Sequence, residues 1–119
     1  MAQRQIQRGD GFERDFKKLT KKYRDLEESL NKVLRKIETD AIPPGDLIPG
    51  LRAAPVRKER VPCGNRGKRG GARVIYHATD THAILMYLYV KNDVEDIPVD
   101  AIRDALKAAG LLPDEPEPA

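Results

Sequence analysis

From Phe12 to Ile37 apolar residues recur every three or four positions: Phe12, Phe16, Leu19, Tyr23, Leu26, Leu30, Val33 or Leu34, and Ile37. That period draws one stripe along a helix. Lys17, Lys18, Lys21, Lys22, Glu27, Glu28 and Lys32 fall off the stripe and are expected in water. One unbroken helix of this length would run about 39 Å at 1.5 Å per residue. A one-domain globule of this size is only about 30–35 Å across. The stripe is therefore expected to fold back as a helical hairpin or to kink sharply near Tyr23-Arg24, with Asp25-Leu-Glu-Glu28 as a capping box opening the second helix. A coiled-coil seam is the other use of such a stripe, but this one lasts too few heptads.

The remaining segments supply a sheet. Arg4 to Arg8 is short and polar, with charged ends suited to an edge strand. Pro43-Pro44-Gly45 and Pro49-Gly50 make a loop after the second helix. Pro55 confines the next strand to Val56–Val61, which carries charges on both faces. Arg73 to His77 and Ala83 to Lys91 form a central hairpin. In its second strand Ile84, Met86, Leu88 and Val90 alternate with Leu85, Tyr87, Tyr89 and Lys91. The aliphatic set, with Val74, is expected to face the helices. Arg73, Ile75 and His77 then share the other face with Tyr87, Tyr89 and Lys91. This holds if the loop around Asp80 contains three or five residues. Pro98 begins a short helix through about Ala109, ended by Gly110. The fold class expected is α+β: a small twisted antiparallel sheet, an N-terminal helical hairpin on one face and a short C-terminal helix. A chain of 119 residues holds one such domain, residues 1–112, followed by the acidic tail 113–119.

Charge is where function enters. Arg52, Arg57, Lys58, Arg60, Arg66, Lys68, Arg69 and Arg73 stand against Glu59 alone, whereas acids dominate from Asp93 onward. A basic block inside a nearly balanced chain is the footprint of phosphate binding. Gly64, Gly67, Gly70 and Gly71 punctuate it. They do not make a P-loop, because Pro62 replaces the first glycine, Arg69 follows Lys68, and a strand follows instead of a helix. The glycines suit a turn or bulge that a bulky ligand can approach. Cys63, the single cysteine, excludes an internal disulfide and a multi-cysteine zinc site. No apolar run reaches the length of a membrane helix. The first residues lack a secretory apolar stretch, so a cytoplasmic protein is expected.

Gly67-Lys-Arg-Gly-Gly-Ala-Arg-Val-Ile-Tyr76, followed by an apolar strand closing on Tyr89-Val-Lys-Asn-Asp, resembles the RelE/HigB type of toxin in the RelE/ParE superfamily. Phe12-Glu-Arg-Asp-Phe-Lys-Lys-Leu19 is similar to that family's first helix, and the likeness runs from about Phe12 to Leu111. The resemblance implies an endoribonuclease that cuts mRNA in the ribosomal A site by attack of a 2′-hydroxyl on the adjacent phosphate, using neither metal nor cofactor. It implies as partners a cognate antitoxin, expected to be a small helix-turn-helix protein, and the 70S ribosome with its mRNA. It places Arg73 on the pentavalent phosphate and Lys68 and Lys91 in phosphate binding or proton transfer. Arg66 and Arg69 are expected to hold flanking RNA phosphates, and Tyr76, Tyr87 or Tyr89 to stack a base. His77 is a further RNA-contacting candidate that titrates near neutrality; Tyr76, on the Val74 side, is equally a core residue. Nothing after Tyr89 is aromatic, so the C-terminal tyrosine of the founding RelE site has no counterpart. A gyrase inhibitor of the ParE branch and a general nucleic-acid binder are the alternatives.

Overall fold

A computed structural model describes residues 3–64, 71–91 and 96–113. Strand β1 (Gln5–Arg8) is followed by helices α1 (Asp10–Lys22) and α2 (Leu26–Thr39). Strands β2 (Asp46–Leu47), β3 (Val56–Val61), β4 (Ala72–Ala78) and β5 (His82–Val90) come next, then helix α3 (Val99–Ala108). The sheet runs β1-β5-β4-β3-β2. β5 is paired on both sides over its first half, which suits the most apolar strand of the chain. The β2–β3, β3–β4 and β4–β5 pairs are antiparallel, and β1 runs parallel to β5. The architecture is thus the α+β fold expected, with a mixed sheet in place of a wholly antiparallel one.

The long stripe does break where its length requires. α1 stops at Lys22, and Tyr23 turns extended while its N–H still reaches the carbonyl of Leu19. Acids in the first turn of α1 and lysines in its last turn complement the helix dipole. The capping box, however, does not form. Asp25 precedes α2 but makes no side-chain cap. Both its carboxylate oxygens accept the Gly64 N–H at 3.0 Å instead, tying the hairpin corner to the end of the β3 segment. The competing donor lies across the fold, where local sequence gives no sign of it.

Two cores lie on opposite faces of the sheet. Phe12, Leu26, Leu30 and Ile37 of the helical hairpin pack against Ala72, Val74, Tyr76, Leu85 and Leu88. Ile102 and Leu106 of α3 join Leu51, Ala54, Val56, Ile75 and Tyr89 on the other side. Tyr76 is core on the hairpin side, fully buried with its hydroxyl donating to the Pro44 carbonyl.

One detail of the central hairpin departs from simple alternation. Three residues, 79–81, separate the strands, yet the first cross-strand pair is Ala78 with Ala83. Continued without interruption, that register would set Arg73 opposite Leu88. A bulge intervenes: Tyr76 pairs with Leu85, Ile75 pairs with Tyr87, and Met86 is the extra residue. Beyond it Arg73 pairs with Tyr89 and Val74 with Leu88. Arg73, Tyr87 and Tyr89 therefore share a face, as expected. The expectation for the outer half of the strand is corrected: Ala83 and Leu85, not Ile84 and Met86, join the hairpin-side core, because the bulge reverses parity there.

Candidate functional site

Across the α3 face of the sheet, directly paired residues form rows. Arg60 pairs with Arg73, which pairs with Tyr89. One step along, Asp46 pairs with Lys58, Lys58 with Ile75 and Ile75 with Tyr87. Side chains directly opposite one another in an antiparallel pair stand on one face, so these rows set Arg60, Arg73, Tyr89, Asp46, Lys58 and Tyr87 on the same side of the sheet. Lys91 follows β5, its N–H bonded to the Gly71 carbonyl at 3.1 Å. A cleft of about 390 Å³ is lined by Gly45, Asp46, Lys58, Glu59, Arg60, Arg73 and Lys91. Four cations against two carboxylates leave it net positive, as an anion site requires.

Several local features hold this cleft open and rigid. Gly45 sits at φ 101° and packs so closely that a Cβ would lie 2.5 Å from the Lys58 carbonyl oxygen; only glycine allows β2 to approach β3 this way. Arg57 donates to the Gly45 carbonyl at 2.9 Å from the other face. Arg73 is 6% exposed, with Nη1 donating to the Ala72 carbonyl at 3.0 Å. A guanidinium so enclosed has little rotamer freedom left to lose when it meets a phosphate.

At the other end of the cationic row, Asp96 accepts the Tyr89 hydroxyl at 2.9 Å and Lys58 Nζ at 3.2 Å. These contacts explain its titration. The Tyr89 hydrogen bond first, helped by Lys58 and Lys91, holds the carboxyl below its usual range against the opposing effect of desolvation. Tyr89 is pushed above the usual phenol range by burial, and further by Asp96, against the lowering influence of Arg73. With a lowered carboxyl pKa, the bridge is complete above the ordinary aspartate range and is lost as pH falls through the depressed value. Tyr89→Phe removes the main cause, so the Asp96 pKa is expected to rise toward its ordinary value of 3.8. Carboxyl carbon NMR titration of both proteins checks this, and an unmoved Asp96 refutes the bridge.

The residues singled out in the sequence are distributed as follows. Arg73 and Lys91 line the same cleft. Tyr89 adjoins Arg73 in the row and is 4% exposed, committed to Asp96. Tyr87 is half-buried beneath α3, with its hydroxyl donating to the Ala101 carbonyl at 3.3 Å; burial first, then Asp104 and Asp15, raises its pKa. His77 is buried, four residues along β4 from Arg73, or roughly 13 Å at about 3.3 Å per residue. Desolvation lowers its pKa below 6.5, which keeps the ring neutral at neutral pH. Arg66, Lys68 and Arg69 lie outside the described residues.

Sequence reasoning did not single out Arg60, Lys58, Asp46 or Asp96. Arg60 and Lys58 were visible as members of the basic block, and their two-residue spacing on β3 was the usable signal. Asp96 carried none, since it is one acid among several after Lys91. Among the described residues no three His, Cys, Asp or Glu side chains converge as metal ligands would, and no helix is long and apolar enough to cross a membrane.

Against known proteins, the family model for the RelE toxin of the RelE / RelB toxin-antitoxin system matches residues 12–114. A search of curated proteins gives no match.

Proposed function

Because the chain belongs to the RelE toxin family of RelE / RelB toxin–antitoxin systems, which implies an antitoxin partner, we propose that it is a ribosome-dependent endoribonuclease cutting mRNA in the A site. The observation that carries this reading is the cleft where Arg60, Arg73, Lys58 and Lys91 surround one volume on a rigid sheet.

The chemistry asked of such a cleft is modest. The 2′-oxygen of one nucleotide forms a bond to the adjacent phosphorus, and the bond from phosphorus to the next 5′-oxygen breaks. The products are a 2′,3′-cyclic phosphate and a free 5′-hydroxyl; one proton leaves O2′ and one reaches O5′. Negative charge grows on the non-bridging oxygens in between. Arg73, buried and preorganised, takes those oxygens with its planar fork. Arg60 and Lys58 flank the same phosphate from β3. Lys91, together with Lys68, is assigned phosphate binding and proton transfer. Asp96 keeps Lys58 and Tyr89 in place. Arg66 and Arg69 are assigned to flanking phosphates of mRNA or ribosomal RNA.

Induction of the protein in cells, followed by mapping of transcript 5′ ends, tests the reading. Cuts phased with the reading frame and ending in 5′-hydroxyls are expected, on translated messages only. Chromosome breaks with intact transcripts would assign the protein to gyrase instead, and cutting of ribosome-free RNA would remove the ribosome from the mechanism.

A further inference from the structure

Next to the cationic cleft lies a second cavity of about 480 Å³, and the two share Asp46 and Lys58. Its walls differ in kind. Two chain segments, Leu47-Ile48-Pro49 and Ile97-Pro98-Val99, line it together with Ile75 and Tyr89. Leu47 at its mouth is 56% exposed, one of two large apolar side chains so exposed among the described residues. An apolar slot opening directly beside a phosphate site suits a flat ring attached to that phosphate.

The slot also carries two carboxylates, Asp46 and Asp96. Asp96 is occupied by Tyr89 and Lys58. Asp46 stands on β2 opposite Lys58 and is exposed, and its carboxylate makes no hydrogen bond or ion pair among the described residues. A carboxylate at the rim of a polyanion site weakens binding of every phosphate. It repays that only where the ligand brings donors to it. An ionised carboxylate accepts and cannot donate. Among the bases, guanine alone presents two adjacent donors, N1–H and N2–H2, that a carboxylate can take together. Adenine and cytosine offer one amino group beside an acceptor, and the uracil N3–H lies between two carbonyls that repel an anion.

We infer that the slot lined by Leu47–Pro49 and Ile97–Val99 is a base-recognition subsite for guanine, read by the Asp46 carboxylate, for the nucleotide next to the cleaved phosphate. This deepens the ribonuclease reading and rests on it for its biological meaning. The four ribonucleoside 3′-monophosphates share their phosphate, so their relative affinities isolate the base. 3′-GMP is expected to bind about tenfold more tightly than 3′-AMP, 3′-CMP or 3′-UMP. Its methyl NMR shifts are expected to centre on Leu47, Ile48, Ile97 and Val99. In Asp46→Asn, whose amide replaces one acceptor with a donor, the preference is expected to fall to within about twofold. Equal binding of the four nucleotides, shifts elsewhere, or a preference that survives Asp46→Asn would each overturn the inference.

Mapped transcript ends give a second arm. Wild-type cuts are expected to favour guanine beside the cut, and Asp46→Asn cuts to lose that bias. Cutting without a guanine bias overturns the subsite while leaving the ribonuclease standing. A wild-type protein that cuts no RNA removes the ribonuclease reading, and the nucleotide titration then decides the subsite alone.

Discussion

Replacing Arg73 with alanine is expected to lower RNA cleavage by about 100- to 1,000-fold, the usual consequence of removing a preorganised donor from a developing oxyanion. The size follows from where the side chain is held. Arg73 is nearly enclosed between Arg60 and Tyr89, which pair with it from the neighbouring strands. Its charge therefore acts in surroundings that screen it less than bulk water does. The backbone of β4 stays paired on both sides, so the variant is expected to remain folded. Arg73→Lys keeps the charge but not the planar fork, and an intermediate rate is expected. Arg73→Met keeps much of the packing and is expected to be as inactive as alanine. Cleavage of mRNA on programmed ribosomes, run beside thermal melts of each variant, separates the two contributions. Full cleavage by a folded Arg73→Ala protein would remove Arg73 from the mechanism.

The largest effect on stability is expected at Arg4, far from the cleft. This residue is 5% exposed. Its guanidinium donates to the carbonyls of Thr79 (2.6 Å), Ile37 (3.0 Å), Asp40 (2.6 Å) and Ala41 (3.1 Å). Its own N–H reaches Glu38 at 2.9 Å. One side chain thus closes the carbonyl end of α2, where a cation is favoured by the helix dipole, and joins it to the β4–β5 turn. Arg4→Ala leaves those acceptors without their donor and deletes a packed stem. A loss of about 3 kcal/mol is expected, which for a domain of this size lowers Tm by about 10–15 °C. Arg4→Met restores the stem alone and is expected to recover only a small part. Lysine, with a compact ammonium, cannot span four carbonyls and should fall between. A melt of Arg4→Ala within about 2 °C of wild type would refute this account.

How far the sequence could be read depended on whether each feature was governed by local or distant partners. The hairpin break near Tyr23 followed from length and period alone. The shared face of Arg73 and Tyr89 followed from strand parity, although for an incomplete reason: the bulge at Met86, not the turn alone, sets it. No glycine or proline marks that bulge, and an unbroken apolar run from Ala83 to Val90 offers no alternation to reveal it. β2 was missed because two residues inside a proline-glycine loop carry no pattern. Arg57 to Arg60 put charges on both faces of β3, so which of them joined Arg73 depended on a register that only pairing fixes. Asp25 was drawn to Gly64, 39 positions away, and Asp96 to Lys58, 38 positions away, as well as to the nearer Tyr89.

The bulge at Met86 has a practical consequence for anyone moving this cleft into another scaffold. It divides the hairpin into two halves of opposite phase. A graft taken from Arg73 to Tyr89 with Met86 retained but the strand idealised to remove the bulge would set Arg73 opposite Leu88 and turn Tyr89 into the other layer. The smallest portable unit is therefore the whole hairpin with its irregularity included.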